Sequence, residues 1–143
     1  MKIYVTGLGV VSGIGIGVSE NIEALQQGKH GIGKVTLFPT ALDVPVSEVK
    51  RSNEELKQLI SLPPQRTVSR TALLGMIAAK EAMKDAGLTP PLRIGFISAT
   101  SVGGMDLSEH FYESFKKNPG QGRLREVISH DCGASTELIA SYL

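Results

Sequence analysis

Cysteine is nearly absent from this sequence, since Cys132 is the single one among 143 residues. One thiol excludes an internal disulfide framework and a zinc cluster built from cysteines, and it is typical of a reducing compartment. The sequence also lacks an apolar run long enough to span a bilayer, and its start has no signal-peptide pattern. We therefore expect a cytoplasmic protein.

A surplus of charge of one sign is missing as well. Fifteen basic and fourteen acidic residues leave a net charge of +1, and these residues are spread along the chain. Nucleic-acid-binding and membrane-surface proteins usually carry a concentrated basic patch. The charge pattern therefore argues against nucleic acid and membrane as partners.

The sequence does contain enough apolar residues for a folded core. It has 143 residues, of which 41% are hydrophobic, and this size is typical of one domain without repeats. The last predicted helix reaches residue 143 without a glycine, a proline or a basic final turn. We therefore expect residues 1–143 to be a fragment of something longer.

The spacing of apolar residues predicts an α/β fold. Residues 2–6 alternate in polarity before Gly7 and Gly9, as in a strand that ends in a turn, and segment 93–100 is typical of a strand buried on both faces. The longest helical pattern, about 67–86, lies between them and has Gly87 as its stop signal. This order predicts a βαβ unit with a parallel sheet covered by helices.

Shorter helical patterns flank this unit. A Ser52–Glu55 capping box begins a helix that ends near residue 62, and an amphipathic helix is predicted over 106–117. A helix over 20–27 is predicted with Ile22 and Leu25 facing inward, and a last helix begins near 134–136. The glycine turn at 101–104 follows the second strand, and open α/β sheets bind their ligands at such strand ends.

Two motifs suggest a nucleotide-binding alternative. Residues 6–15 resemble the glycine turn of short-chain dehydrogenases, and Tyr112 with Lys116 resembles their catalytic pair. However, the glycines are two residues too far apart, and no acidic residue closes a second strand about 20 residues later. Tyr and Lys one turn apart are also ordinary on a helix surface. The nicotinamide-dependent oxidoreductase therefore remains an alternative hypothesis.

Other candidate chemistry rests on Cys132 and three histidines. Cys132 precedes a predicted helix start, which could lower a thiol pKa, but neighbouring His and Cys in sequence are not the usual catalytic pair. We therefore expect a partly buried, inert thiol. His30, His110 and His130 lack the spacing of metal ligands on one helix, so no metal site is predicted.

Four ordered segments resemble a known family. They are residues 5–12 (VTGLGVVS), 25–32 (LQQGKHGI), 78–88 (AAKEAMKDAGL), and 93–95 (RIG) with 101–104 (SVGG). In this order and spacing the chain resembles the N-terminal part of a β-ketoacyl-acyl-carrier-protein synthase, of the thiolase-like superfamily. The resemblance implies a layered αβαβα fold, of which residues 1–143 form an N-terminal fragment. It also implies that the first glycine turn is architectural.

The resemblance implies an acyltransferase that carries out decarboxylating Claisen condensation in fatty-acid or polyketide-type synthesis. Its nucleophilic Cys takes an acyl group from the phosphopantetheine of acyl carrier protein, so no cofactor of its own is expected. The segment HDCGAST around Cys132 does not match the family's nucleophile motif. No catalytic residue is therefore assigned, and the chain alone is expected to be inactive.

The resemblance assigns supporting roles to a few residues here. Val102 and Gly103 correspond to the place where family members line the acyl pocket, and Arg66 with Arg70 falls near the basic patch that docks the acidic carrier protein. A homodimer or a ketosynthase partner subunit is implied for the full-length protein. Because Gly13 stands where the family usually has Pro, a specialised ketosynthase and a non-catalytic chain-length partner subunit both remain open.

Overall fold

Five α-helices account for most of the regular structure in the computed structural model, which describes residues 2–90 and 93–143. They are α1 (Val18–Gln26), α2 (Asn53–Leu59), α3 (Arg70–Asp85), α4 (Met105–Lys117) and α5 (Cys132–Tyr142), with a 3₁₀ turn at Leu124–Glu126. Helices therefore lie at or close to every predicted position, and α5 begins two residues before the predicted start. Within the described residues, none of the helices is long and apolar enough to cross a bilayer.

The helix ends follow their local sequence signals. Ser52 accepts a hydrogen bond from the Glu55 amide while the Glu55 carboxylate accepts one from the Ser52 amide, which confirms the predicted capping box. Gly87 has a φ of 67° and follows α3, as its stop signal predicted. Helix α2 ends three residues before the predicted position because Ser61 adopts the left-handed conformation, with a φ of 56°.

Helix α3 forms the centre of the core. Its Leu73 and Met76 are fully buried, and it packs against α2 on one side and α5 on another. The approach of α5 depends on Gly75, because a Cβ atom there would lie 2.4 Å from Cδ1 of Ile139. The remaining buried apolar side chains of this core are Leu56, Ile60, Leu62, Val68, Ala72 and Ile77.

Two short antiparallel hairpins cover the N-terminal third. Strand β1 (Val11–Ser12) pairs with β2 (Gly15–Ile16), and β3 (Ile32–Gly33) pairs with β4 (Val46–Ser47). In the first hairpin Val11 faces Ile16, and in the second Gly33 faces Val46. None of these two-residue strands was predicted, since strands this short leave no periodic signal.

The predicted parallel sheet is not formed among the described residues. Segments 2–10 and 93–100 are not paired in a hydrogen-bonded ladder, either with each other or with another described strand. Segment 2–10 instead bonds to α3, since the amides of Leu8 and Val10 donate to the carboxylates of Asp85 and Glu81 at 2.9 and 3.0 Å. For residues 2–90 and 93–143 the prediction of two paired strands is therefore wrong, because neither segment has a described neighbouring strand that supplies the ladder.

Segment 93–100 is also covered on one face and not on both. Phe96 packs against the core, and the Ser98 hydroxyl lies 2.5 Å from the hydroxyl of Thr136 in α5. Ile97, which points the other way, is 97% exposed. The expected burial of both faces is thus corrected to burial of one face.

Helix α1 turns a different face inward from the one predicted. Ile22 and Leu25 are exposed, whereas Asn21 and Ala24 are buried. The cause is the Asn21 side chain, whose amide donates to the carbonyls of Gly15 and Gly17 at 3.0 and 2.8 Å. These bonds fix α1 to the first hairpin through a polar residue.

The opening glycines have an architectural role, as the resemblance predicted. A Cβ atom on Gly7 would lie 2.2 Å from the carbonyl oxygen of Ala82, and one on Gly9 would lie 1.9 Å from that of Ala78. Only glycine allows a backbone to approach the helix this closely. The first turn is therefore packed against α3.

Candidate functional site

The glycine turn at residues 101–104 connects segment 93–100 with α4. Val102 is about half exposed, whereas Gly103 is buried and has a φ of 52°. A Cβ atom on Gly103 would lie 2.6 Å from the carbonyl oxygen of His130. Val102 therefore presents a side chain at the surface, while Gly103 provides the close packing beneath it. The substrate-binding role of both stays a prediction.

A groove between α2, α4 and the 3₁₀ turn contains Arg66. It has a volume of about 580 Å³, and three exposed arginines line it: Arg66, Arg123 and Arg125. We refer to it as the arginine groove. Arg66 comes from the loop between α2 and α3, and the other two come from the segment after α4. The fold thus brings together cations that are nearly sixty residues apart in sequence.

Most acidic groups of the arginine groove are less exposed to solvent than its arginines. Glu126 is buried, and Oε2 of its carboxylate lies 3.4 Å from Nδ1 of His110. Asp106 is partly buried and accepts a hydrogen bond from the Arg70 amide at 2.8 Å, while its other carboxylate oxygen is buried without a partner. Glu54 is the exposed acid of the lining. Outward-facing charge in the groove is therefore mainly positive.

Arg70 has a contact pattern that differs from that of Arg66. Its guanidinium donates to the carbonyls of Val49 and Arg51 and to the side-chain oxygen of Asn53, at 2.6, 2.9 and 2.9 Å. These bonds hold the loop before α2 against the first turn of α3. Docking by Arg70 stays a prediction, and the geometry favours Arg66 as the more available cation.

Sequence reasoning missed Arg123 and Arg125 as members of this site. They lie in a loop of the sequence GQGRLREV, where two arginines separated by one residue carry no specific signal. Their connection with Arg66 depends on how α4 folds back towards α2, which no local pattern encodes. A three-dimensional arrangement was needed to find them.

Cys132 is exposed, so the expectation of a partly buried thiol is wrong. It is the first residue of α5, and helix starts at a protein surface leave their first side chains open to water. Nearby, the Ser108 hydroxyl lies 2.8 Å from Nδ1 of His130, which joins α4 to the segment before α5. Among residues 2–90 and 93–143, no group of three His, Cys, Asp or Glu side chains is placed to hold a metal ion.

The motifs behind the nucleotide-binding alternative have structural explanations. The glycine turn of residues 7–9 is packed against α3, which leaves no room for a pyrophosphate on that side. Tyr112 is 63% exposed on α4, and Lys116 is exposed one turn later. Both observations agree with the expectation of an architectural turn and ordinary surface residues.

Comparison with known proteins gives a consistent result. The family described as Beta-ketoacyl synthase, N-terminal domain, matches residues 1–141. Over 122 residues the chain is 31% identical to 3-oxoacyl-[acyl-carrier-protein] synthase 2 of Coxiella burnetii, covering 79% of the chain and 28% of that protein. Over 128 residues it is 29% identical to Nodulation protein E of Rhizobium meliloti, covering 83% and 30%.

A solved structure supports the same fold. The ishigamide ketosynthase/chain length factor superposes on 96% of this chain with a TM-score of 0.78 and 26% identity, and the match covers 36% of that chain. This likeness confirms the thiolase-like α/β fold class. The chain spans about three tenths of the length of the curated relatives it matches.

Proposed function

The chain belongs to the β-ketoacyl synthase family through the N-terminal domain of that family, and on this premise we propose the reaction in which it takes part. It supplies the N-terminal part of an acyltransferase that condenses an acyl group with malonyl-acyl carrier protein, with loss of carbon dioxide. The observation that carries this proposal is the match of the family to residues 1–141. The product belongs to fatty-acid or polyketide-type synthesis, as the names of its relatives suggest.

The substrate is an acyl chain delivered on a carrier protein. The name 3-oxoacyl-[acyl-carrier-protein] synthase, borne by a relative of 31% identity, specifies this form of substrate. The phosphopantetheine of the carrier brings the thioester, so the chain needs no cofactor of its own. Val102 at the surface of the 101–104 turn is the residue here that we assign to contact with the acyl chain, with Gly103 supporting it.

The arginine groove is the proposed docking surface for the carrier protein. Carrier proteins of this pathway are acidic, and opposite charges increase both the rate of encounter and the specificity of binding. Guanidinium groups in general can form bidentate hydrogen bonds with carboxylates, so three exposed arginines suit an acidic partner. Arg66 is central to this proposal because the family resemblance indicated it and it is exposed in the structure.

A charge-reversal experiment tests this docking surface. Arg66→Glu is expected to weaken binding of a holo acyl carrier protein by about tenfold or more at low salt, as measured by calorimetry. Lys29→Glu, which changes the same charge at an exposed position outside the groove, is expected to leave binding within about twofold. Equal effects of the two substitutions would contradict docking at the groove.

Condensation by the 143-residue chain alone provides a second test. Because HDCGAST does not match the family's nucleophile motif, we expect no 3-oxoacyl product from acyl and malonyl carrier proteins. Turnover by the isolated chain would overturn this assignment. A parallel titration with NADPH tests the oxidoreductase alternative, for which we expect no binding.

A chain-length partner subunit is the second candidate function. It rests on the likeness to a structure whose description names both a ketosynthase and a chain length factor. Such a subunit has lost the nucleophile and therefore does not become acylated. Mass spectrometry of the full-length protein after incubation with acyl carrier protein distinguishes the two, since a covalent acyl adduct indicates the condensing enzyme.

A further inference from the structure

A buried carboxylate lies in the arginine groove, and the proposed docking does not use it. Glu126 is 9% exposed, whereas Arg123, Leu124 and Arg125, the three residues before it in the chain, are all exposed. Its carboxylate lies 3.4 Å from Nδ1 of His110 on α4, and among the described residues this is its only contact with a basic side chain within 4 Å. Burying a carboxylate costs free energy unless polar partners compensate it. The position of Glu126 therefore requires a reason.

The charge of Glu126 is unfavourable for the proposed partner. The carrier protein is acidic, and a carboxylate inside the groove lowers the positive potential that Arg123 and Arg125 create. If charge alone governed docking, a neutral residue at position 126 would bind the carrier more tightly. A carboxylate that opposes docking by its charge can still favour docking through the geometry of the arginines beside it.

Glu126 ends the 3₁₀ turn that presents these two arginines. Its amide donates to the Arg123 carbonyl, and the Val127 amide donates to the Leu124 carbonyl, both at 2.9 Å. A single 3₁₀ turn has few hydrogen bonds with poor geometry, so its own backbone holds it weakly. The directions in which its side chains leave the turn therefore depend on contacts with the rest of the fold.

Contacts at both ends fix this turn on α4. A Cβ atom on Gly122 would lie 2.6 Å from Cε2 of Phe111, so the chain before the turn is packed closely on the helix. At the end of the turn, Glu126 contacts His110. The segment that carries the two arginines lies between these contacts.

We propose that Glu126 and His110 are positioning residues for carrier docking. Their contact holds the 3₁₀ turn so that the guanidinium groups of Arg123 and Arg125 extend into the arginine groove beside Arg66. Glu126 does not touch the carrier, because it is buried. The inference rests on the proposed function, since it assumes that the arginine groove docks an acidic carrier protein. It adds that this docking depends on a carboxylate whose charge opposes it.

Two substitutions at one position separate geometry from charge. Glu126→Leu removes the contact with His110 together with the negative charge, whereas Glu126→Gln removes the charge and keeps an oxygen that accepts hydrogen bonds. We expect Glu126→Leu to weaken binding of holo acyl carrier protein by about fivefold or more at low salt, measured by calorimetry. Glu126→Gln is expected to bind as tightly as the parent, or up to about threefold more tightly. Unchanged or tighter binding by Glu126→Leu would overturn the inference.

A background without the two arginines shows whether Glu126 acts through them. In a chain that carries Arg123→Gln and Arg125→Gln, Glu126→Leu is expected to change the remaining carrier binding by less than about twofold. An equal loss in both backgrounds would indicate a general effect on folding and would overturn the inference. Glu109→Gln is the matched control, because it removes the same charge from an exposed position on α4 outside the groove lining. It is expected to stay within about twofold of the parent.

The same measurements distinguish this inference from the proposed function. If Arg66→Glu leaves carrier binding unchanged, the arginine groove is not the docking surface, and the proposed docking and this inference both fail. If Arg66→Glu weakens binding but Glu126→Leu does not, the groove remains the docking surface and only the positioning role of Glu126 fails.

Discussion

At the scale of single residues, three helices end in the same hydrogen-bond pattern with different residues at its key position. After α1, α2 and α3, the residue in the left-handed conformation is Gly28, Ser61 and Gly87, with φ of 64°, 56° and 67°. In each case its amide bonds three residues back and the next amide bonds five residues back. This is the Schellman motif, in which glycine has no Cβ penalty. Ser61 is therefore a strained member of the set.

Ser61→Gly is expected to raise the free energy of unfolding by about 0.5–1 kcal/mol. Relief of the left-handed strain outweighs the entropy that glycine adds to the unfolded chain. Gly87→Ser makes the reverse change in the equivalent position after α3 and is expected to lower the free energy of unfolding by a similar amount. Urea denaturation measures both, and a destabilising Ser61→Gly would contradict the strain argument.

The glycines of the first turn allow a second test at this scale. Gly9→Ala is expected to destabilise the protein by about 1–3 kcal/mol, because its methyl group would overlap the carbonyl of Ala78. Gly95→Ala is the matched control, because no atom of the described residues lies within 4 Å of its Cβ position and its φ is not in the left-handed region. It is expected to stay within about 0.5 kcal/mol of the parent. Equal free energies of unfolding for the two variants would contradict the architectural role of Gly9.

Residue-level prediction from sequence succeeded where the cause was local. The capping box at Ser52 and the stop at Gly87 depend on a few neighbouring residues, and both were found. The exposure of Cys132 depends on how distant segments pack. So does the position of Arg66 and Arg123 in the same groove. No local pattern carries that information.

At the scale of elements, the loop between β3 and β4 is held by one carboxylate. Glu48 accepts hydrogen bonds from the Thr36 amide, the Thr36 hydroxyl and the Leu37 amide. The pKa of Glu48 is lowered below its usual value, and the hydrogen bond from the Thr36 hydroxyl is the largest cause. Desolvation opposes this effect, while the amides of Leu37 and Thr36 and the charge of Lys50 add to the lowering. The ionised form of Glu48 therefore stabilises this loop through its hydrogen bonds to Thr36 and Leu37.

The lowered pKa predicts how the loop responds to acid. A depressed folded-state pKa gives a stabilising contribution that is present above the ordinary glutamate pKa of 4.5 and is lost as pH falls through the folded-state pKa. We expect the Thr36 and Leu37 amide signals to shift together with the Glu48 carboxyl in an NMR titration below that pH. Thr36→Val should move the pKa of Glu48 back towards its usual range. An unchanged titration in this variant would contradict the role of the Thr36 hydroxyl.

Elements were predicted well when their own sequence determined them. Helices α3 and α4 begin and end within three residues of their predicted positions, because periodicity and stop signals are local. The strands were harder, since a strand requires a partner for its backbone. Residues 93–100 have the composition of a strand buried on both faces, yet no ladder forms for them here. The sequence indicated that these residues favour an extended conformation. They form no ladder because no neighbouring strand is present among the described residues.

At the scale of the whole molecule, a well-packed set of helices lies beside incompletely covered extended segments. Leu73 and Met76 of α3 are fully buried, whereas Val5 and Ile97 are more than four-fifths exposed. Stability is distributed unevenly in such a structure, because local opening is easiest where backbone hydrogen bonds and apolar contacts are few. The helices and the extended segments should therefore differ in amide hydrogen exchange.

We expect the amides of residues 94–98 to exchange at least about a thousandfold faster than those of Leu73, Met76 and Ile77 in the isolated chain. The reason is that α3 amides are bonded within a buried helix, while 94–98 have no ladder partner in the described chain. Exchange followed by mass spectrometry measures both regions in one experiment. Protection of 94–98 equal to that of α3 at the lowest usable concentration would show that the segment pairs within one molecule.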